Sequence, residues 1–271
     1  MPEQYSAGAI ELGVWELAIA AALVLVAGAV SLMLRLGLEK GLLVASVRVI
    51  VQLLAVGWVL RWVFDIDRFW LVAILIGLMV VAATHAAVHR SSRTFRGASL
   101  EMFITLVLCG LITTFVVTSV IIGVQPWWKP QYLIPLLGMV LGSAMTGVSL
   151  AMDTLLERLT DRRDEIEMLL AHGATRWEAA RDPLAAAVRR ALIPVINSMT
   201  VVGIVHLPGM MTGQILAGAD PWEAVKYQIV VMFMIAATTS MSAMGFVLLA
   251  YLRLFTRHHQ LNVRPIHKRG E

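Results

Sequence analysis

Asp161-Arg162-Arg163-Asp164-Glu165-Ile166-Glu167-Met168-Leu169-Leu170-Ala171-His172-Gly173-Ala174-Thr175-Arg176-Trp177-Glu178 opens the only long hydrophilic segment, Asp161 to Ala191, of an otherwise apolar chain. Ile166, Leu169, Leu170, Gly173 and Trp177 fall at i, i+3, i+4, i+7 and i+11, one stripe of an amphipathic helix. Gly173 interrupts that helix. Thr175 can cap a short second one, and Glu178 three residues later completes a Thr-x-x-Glu capping box. The expected product is a helix, a bend and a second helix outside the membrane. Such an elbow between spans suits docking onto a soluble partner; the plainer alternative is a cytoplasmic loop with a surface helix.

Composition supplies the setting. Of 271 residues 59% are hydrophobic and 15% charged, and the mean hydropathy is +0.78. A soluble domain is about half apolar and about a quarter charged, so the chain reads as an integral membrane protein. Its net charge of +4 comes from basic residues set between apolar runs, with no patch of interleaved aromatics, which argues against nucleic acid. The single cysteine, Cys109, excludes an intramolecular disulfide and a cysteine metal site. The first apolar run is too long and lacks the basic leader of a cleaved signal, so it is expected to be a span.

The fold class is therefore all-α and polytopic, one transmembrane domain over residues 1–271 with about seven helices. Spans are expected near 12–34, 42–63, 70–88, 102–124, 132–152, 192–217 and 226–250, most of them near the roughly 20 residues that cross the hydrocarbon core. Residues 153–190 form the cytoplasmic helix-turn-helix. With the N-terminus outside, the inner segments 35–41, 89–101, 153–190 and 251–271 hold 17 of the 22 Lys and Arg. The positive-inside rule then places the C-terminus and 153–190 in the cytoplasm. Gln125 to Pro130, with Trp127 and Trp128, is an aromatic turn at the opposite interface.

The sixth apolar element is irregular. It passes Pro194, Asn197 and Ser198 and runs Gly203-Ile204-Val205-His206-Leu207-Pro208-Gly209-Met210-Met211-Thr212-Gly213-Gln214. Pro208-Gly209 should break a helix, and broken backbone at membrane depth is tolerated only inside protein or beside a water-filled cavity. Asn197, Ser198, Pro208, Met211 and Gln214 are thus candidates for a translocation path; close helix packing by the glycines is the alternative. The Gly138-x-x-x-Gly142 pair of the fifth span leans towards packing. Arg48, in the second span, either lines a path with Gln52 or snorkels to the cytoplasmic face. His85 reads as interfacial. Met232, Met234, Met241 and Met244 read as adaptable core filler. Asp153 and Glu157 either collect cations or form a solvated helix face.

Several of these stretches resemble one family. Ile134-Pro135 with Gly138-Met139 and Gly142 to Met145, His172 to Thr175, Ala191 to Pro194, Leu207-Pro208-Gly209-Met210-Met211-Thr212-Gly213, Ala217 to Pro221, Lys226 to Ile229 and His259-Gln260-Leu261 are similar to the FetB-type (YbbM-like, UPF0014) ABC transporter permeases. The resemblance covers about Glu39 to Leu261. Where that family often has Asn, this chain has Ser143, and His206 stands where a small residue is usual.

The resemblance implies the membrane-spanning permease of an ATP-binding cassette exporter of iron. It would sit in a bacterial inner membrane as a homodimer, powered by a separate ATPase subunit. That agrees with the lack of Gly-x-x-x-x-Gly-Lys-Ser/Thr and Gly-x-Gly-x-x-Gly motifs, so the permease itself should bind no cofactor, ATP belonging to the partner. No metal ligands are assigned. Glu167 to Ala174 also resembles the Glu-Ala-Ala loop of ABC importer permeases. Ile166, Glu167, Leu170, Gly173, Ala174, Thr175, Trp177 and Glu178 are accordingly expected to couple to the ATPase. A secondary transporter would show internal repeats and paired ionisable residues at the midplane, and neither is visible. A non-transporting scaffold is the other alternative. An intramembrane enzyme would need a polar constellation that the scattered Ser, His and Asp residues do not make.

Overall fold

The structure, a computed structural model, describes residues 13–256, 258–263 and 266–268. Leu12, where the first span was expected to start, and the basic residues Arg257, Arg264 and Arg269 lie outside them. Seven helices among the described residues are long and apolar enough to cross a membrane. They are α1 (Val14–Met33), α2 (Glu39–Ile66), α3 (Phe69–Arg90), α4 (Ala98–Val116, extended by a π turn over Val117–Ile121), α5 (Pro130–Asp161), α7 (Arg176–Val201) and α9 (Pro221–Leu254). Two short helices join them, α6 (Arg163–Ala171) and α8 (Gly209–Leu216). The all-α, seven-span expectation holds.

Contacts divide the chain into two compact units, Met1–Arg68 with Gly213–Pro221 and Phe69–Thr212 with Trp222–Glu271. In the first unit, α1 and α2 are joined by a tight turn. Ser31 closes it: its hydroxyl accepts the Leu38 N–H at 3.1 Å and donates to Glu39 at 3.3 Å. Most side chains of both helices are exposed, as suits surfaces that meet lipid or another protein.

The second unit is built around α5. One face of α5 is buried along its length, from Leu137 through Leu141, Ala144, Val148 and Met152 to Leu159. Against it α7 turns small residues, Ala179, Ala180, Ala187 and Ala191, all buried. Between membrane helices the gain comes from van der Waals packing, and small side chains let backbones approach. Phe246, Val247, Ala250 and Leu254 of α9 complete the core. Ser149 on α5 donates to the Ala87 carbonyl of α3 at 2.9 Å, tying those two helices together.

The expected helix, bend and second helix are present, but their extent differs. Residues 153–190 comprise the end of α5, all of α6 and the first half of α7, which runs on unbroken to Val201. The helix from Thr175 is therefore long, because an α-helix satisfies its own backbone whether it lies in water or lipid and has no reason to stop at the boundary. The helix that carries the sixth apolar stretch is accordingly Arg176–Val201, which starts before 192 and ends before 217. Pro194 does not end it, and the break falls over residues 202–208. Gly203, at φ +82°, lets that loop turn back so that its N–H reaches the His206 carbonyl at 3.0 Å. Among the glycines of α5, a Cβ at Gly147 would lie 2.6 Å from Thr239 Cγ2 of α9, one at Gly138 would lie 3.3 Å from the Met79 tip of α3, and one at Gly142 would meet nothing within 4 Å of its own chain.

Candidate functional site

The elbow is fixed by two backbone devices in succession. Helix α6 ends in a Schellman motif: Gly173 takes φ +92°, its N–H reaches the Leu170 carbonyl, and the Ala174 N–H reaches Leu169, both at 3.1 Å. Two residues later the capping box starts α7. The Glu178 N–H donates to the Thr175 hydroxyl at 3.3 Å, and the Glu178 carboxylate accepts the Thr175 N–H at 2.7 Å. Those bonds from Thr175 hold the Glu178 carboxyl below the ordinary carboxylate range.

The amphipathic stripe divides between two surroundings. Ile166 is 3% exposed and packs into the core, with Leu170 beside it. It therefore does not face outward, because the stripe seats α6 on its own chain. Outward-facing apolar side chains of the elbow are Met168 (54%), Leu169 (40%) and Trp177 (53%). Trp177 rests its ring edge-on against Tyr251 of α9 at 5.7 Å, and Arg176 lies over the same ring. The Arg176 N–H also donates to His259 Nδ1 at 2.9 Å. Glu167 is exposed and pairs with Arg163 at 2.7 Å.

Two other basic segments of the same unit gather at this end. Strand β1 (Arg93–Phe95) pairs antiparallel with β2 (Ile266–Lys268), so the 89–101 loop and the C-terminal segment lie together. Arg93 reaches Asp161 at 3.1 Å, and Arg253 reaches the nearly buried Glu101 at 3.2 Å. Asp153 is half-buried and has a structural role. Its Oδ1 accepts the Ser91 hydroxyl at 2.5 Å and the Ser92 N–H at 2.8 Å, holding the turn after α3. His85 and His89 stack at 3.8 Å. At the opposite end Trp127 and Trp128 pack edge-on against Phe69 at 6.1 and 5.9 Å, as an interfacial aromatic turn should.

Between α5, α7 and α9 lies a cavity of about 230 Å³, lined by Ser143, Thr146, Ser198, Thr239, Pro194 and Met232 among others. Thr239 leaves its buried hydroxyl without a partner. Arg90 reaches in from α3 and donates to Thr146 at 3.1 Å. Of the path candidates, Ser198 lines this cavity; Asn197 is exposed on α7, Pro208 is the last residue of the break, and Met211 lies beyond it in α8. Arg48 and Gln52 are exposed on α2, in the first unit, as Gln214 is a half-buried member of that unit. Thr146 and Thr239 went unmarked in the sequence because lone hydroxyls in apolar helices usually bond their own backbone. Met232 and Met234 are buried as core filler, but Met241 and Met244 face outward. Among the described residues no cluster of three or more His, Cys, Asp or Glu is placed to hold a metal ion.

Seven crossing helices, a capped elbow at a basic end and a hydroxyl-lined cavity define a polytopic α-helical membrane protein. The chain belongs to the UPF0014 family, described as an uncharacterised protein family, which it matches over residues 14–255. It is 40% identical to a UPF0014 membrane protein of Synechocystis sp. over 84% of this chain and 88% of the relative. It is 36% identical to the "Probable iron export permease protein FetB" of Escherichia coli over 93% of this chain and 96% of that one. A third relative, "Protein ALUMINUM SENSITIVE 3" of Arabidopsis thaliana, is 34% identical over 89% and 88%. No solved structure matches the chain.

Proposed function

We propose that this protein is the membrane-spanning permease of an ATP-binding cassette exporter, working as a homodimer with two ATPase subunits and moving iron out of the cytoplasm. The observation that carries the reading is the elbow. Two rigid caps hold α6 at a fixed angle to α7, and α7 runs without interruption from that bend to the wall of the 230 Å³ cavity. A push on the elbow is thereby delivered to Pro194 and Ser198. Met168, Leu169 and Trp177 offer the apolar contacts, with Glu167 and Arg176 beside them. The basic end is then cytoplasmic, N-terminus outside, by the positive-inside rule. ATP and its hydrolysis belong to the partner.

Iron as the cargo rests on the name of the Escherichia coli relative; the name of the Arabidopsis relative also refers to a metal. Hydroxyl oxygens suit a hard or borderline cation better than a soft one, which supports the cavity as part of the path.

The test is ATP-dependent metal efflux from the cytoplasmic side in vesicles carrying both subunits. Trp177→Ala should weaken ATPase association by about 2 kcal/mol or more, as an aromatic at the centre of a docking face does. Arg162→Ala should leave it unchanged. A purified complex with one copy of each subunit contradicts the homodimer, and normal coupling in the Trp177 variant removes the elbow as docking face.

A further inference from the structure

A second recess is formed by α5 and α7 and takes no part in the coupling reading. It has a volume of about 600 Å³ and is lined by Arg158 of α5 and by Arg181, Asp182, Arg189, Arg190 and Ile193 of α7. On α7 these residues recur at i, i+4 and i+8, so they share one face. Alanines between them keep the floor low.

Four arginines and one aspartate share this groove, and none of the four arginines is ion-paired among the described residues. Asp182 is the one carboxylate among the lining residues, so the groove keeps an excess of positive charge. At this end Asp161, Glu165, Glu167 and Glu101 are each held by another arginine, Asp153 holds the turn after α3, and Glu178 closes its capping box. An anion from outside the chain can supply the rest of the countercharge. Its level along α7 says what kind it is. Arg189 and Arg190 stand where the hydrophilic stretch ends and the apolar half of α7 begins, and directly below them Ile193 and Ile196 are exposed. Phosphate above and hydrocarbon below is the layout of a phospholipid. A protein partner would require an acidic surface above and an apolar one below, matched across a membrane boundary.

We propose that the Arg158–Arg181–Arg189–Arg190 groove binds the headgroup of an anionic phospholipid of the leaflet at the basic end, with acyl chains along Ile193 and Ile196. Arginine forks match phosphate oxygens bidentately, and basic pockets between membrane helices recognise anionic lipid heads.

The experiment measures phospholipid retained by the purified full-length protein after detergent exchange from vesicles of equal phosphatidylglycerol and phosphatidylcholine, read by mass spectrometry. Wild type should retain phosphatidylglycerol preferentially. Each arginine near the surface is worth about a factor of 5, so Arg189→Gln with Arg190→Gln should cut the preference roughly 10- to 30-fold. Arg189→Lys with Arg190→Lys should keep most of it, and Arg162→Gln with Arg163→Gln, at the same end but outside the groove, should keep all of it. A second readout needs no variant: raising salt from about 0.1 M to about 1 M, which shortens the Debye length from about 10 to about 3 Å, should reduce the wild-type preference. Equal retention of the two lipids by wild type, or equal retention by wild type and the glutamine variant, overturns the proposal. So does full displacement of phosphatidylglycerol by millimolar inorganic phosphate, which would make the groove a free-anion site. Loss of self-association in the glutamine variant with lipid retention unchanged would make it a protein interface.

Discussion

Gly173 carries the bend by its backbone and by nothing else. A Cβ there would meet no atom within 4 Å, but φ is +92°, where side chains are strained. Gly173→Leu should therefore insert and fold in the membrane yet lose several-fold in ATPase association. Gly173→Asn, which tolerates the left-handed region, should lose less. Binding of the ATPase to detergent-solubilised variants checks this. Glu178 gives a pH prediction. Its carboxyl is held below the ordinary carboxylate range, so its contribution is complete at neutral pH and is lost as pH falls through the lowered folded value. Protection of the amides at the start of α7, measured against their intrinsic exchange rates, should fall under acid, and Glu178→Gln should flatten that response. Gly147 is the opposite case from Gly173, limited by space. Gly147→Ala would drive a methyl to within 2.6 Å of Thr239 Cγ2 and should destabilise the protein by about 1–3 kcal/mol, seen as a lowered Tm.

At the scale of elements, α7 joins three regions that the sequence divides by polarity. Its first turns dock on Tyr251 and His259, its middle presents arginines on one side and buried alanines to α5 on the other, and its last turns line the cavity. Pro183 and Pro194 both lie inside it. An interior proline removes one backbone hydrogen bond, and neighbouring helices re-satisfy what is freed. Pro194→Ala should stiffen the stretch beside the cavity. The expected result is slower export with unchanged ATPase association, which separates the elbow's docking role from movement of the helix behind it. Loss of association in this variant would show that the two ends of α7 are not separable.

For the whole molecule, parity and charge agree. Seven crossings place the 161–176 bend, the 89–101 loop and the C-terminal strand at one end, and the structure ties them there by β1–β2 pairing and by the Arg93–Asp161 and Arg253–Glu101 pairs. With that end in the cytoplasm, a cysteine at position 165 in a Cys109→Ser background should resist an impermeant thiol reagent in intact cells and react after lysis. Labelling from outside would invert the topology.

The sequence alone determined that the protein is helical and membrane-spanning, that it has seven spans, and that an elbow lies at Gly173 and Thr175. Long apolar runs, glycine conformation and a capping box are local properties that any reading frame of a few turns reveals. Only the tertiary structure decided which side of α6 is covered, so that Ile166 belongs to the core while Met168 and Leu169 look outward. It also decided that Gly147 is where α9 presses closest on α5, and that Thr146, Ser198 and Thr239 share a cavity. Periodicity tells which residues of a helix share a face. What stands opposite that face, another helix, lipid, water or a partner, depends on residues far away in the chain.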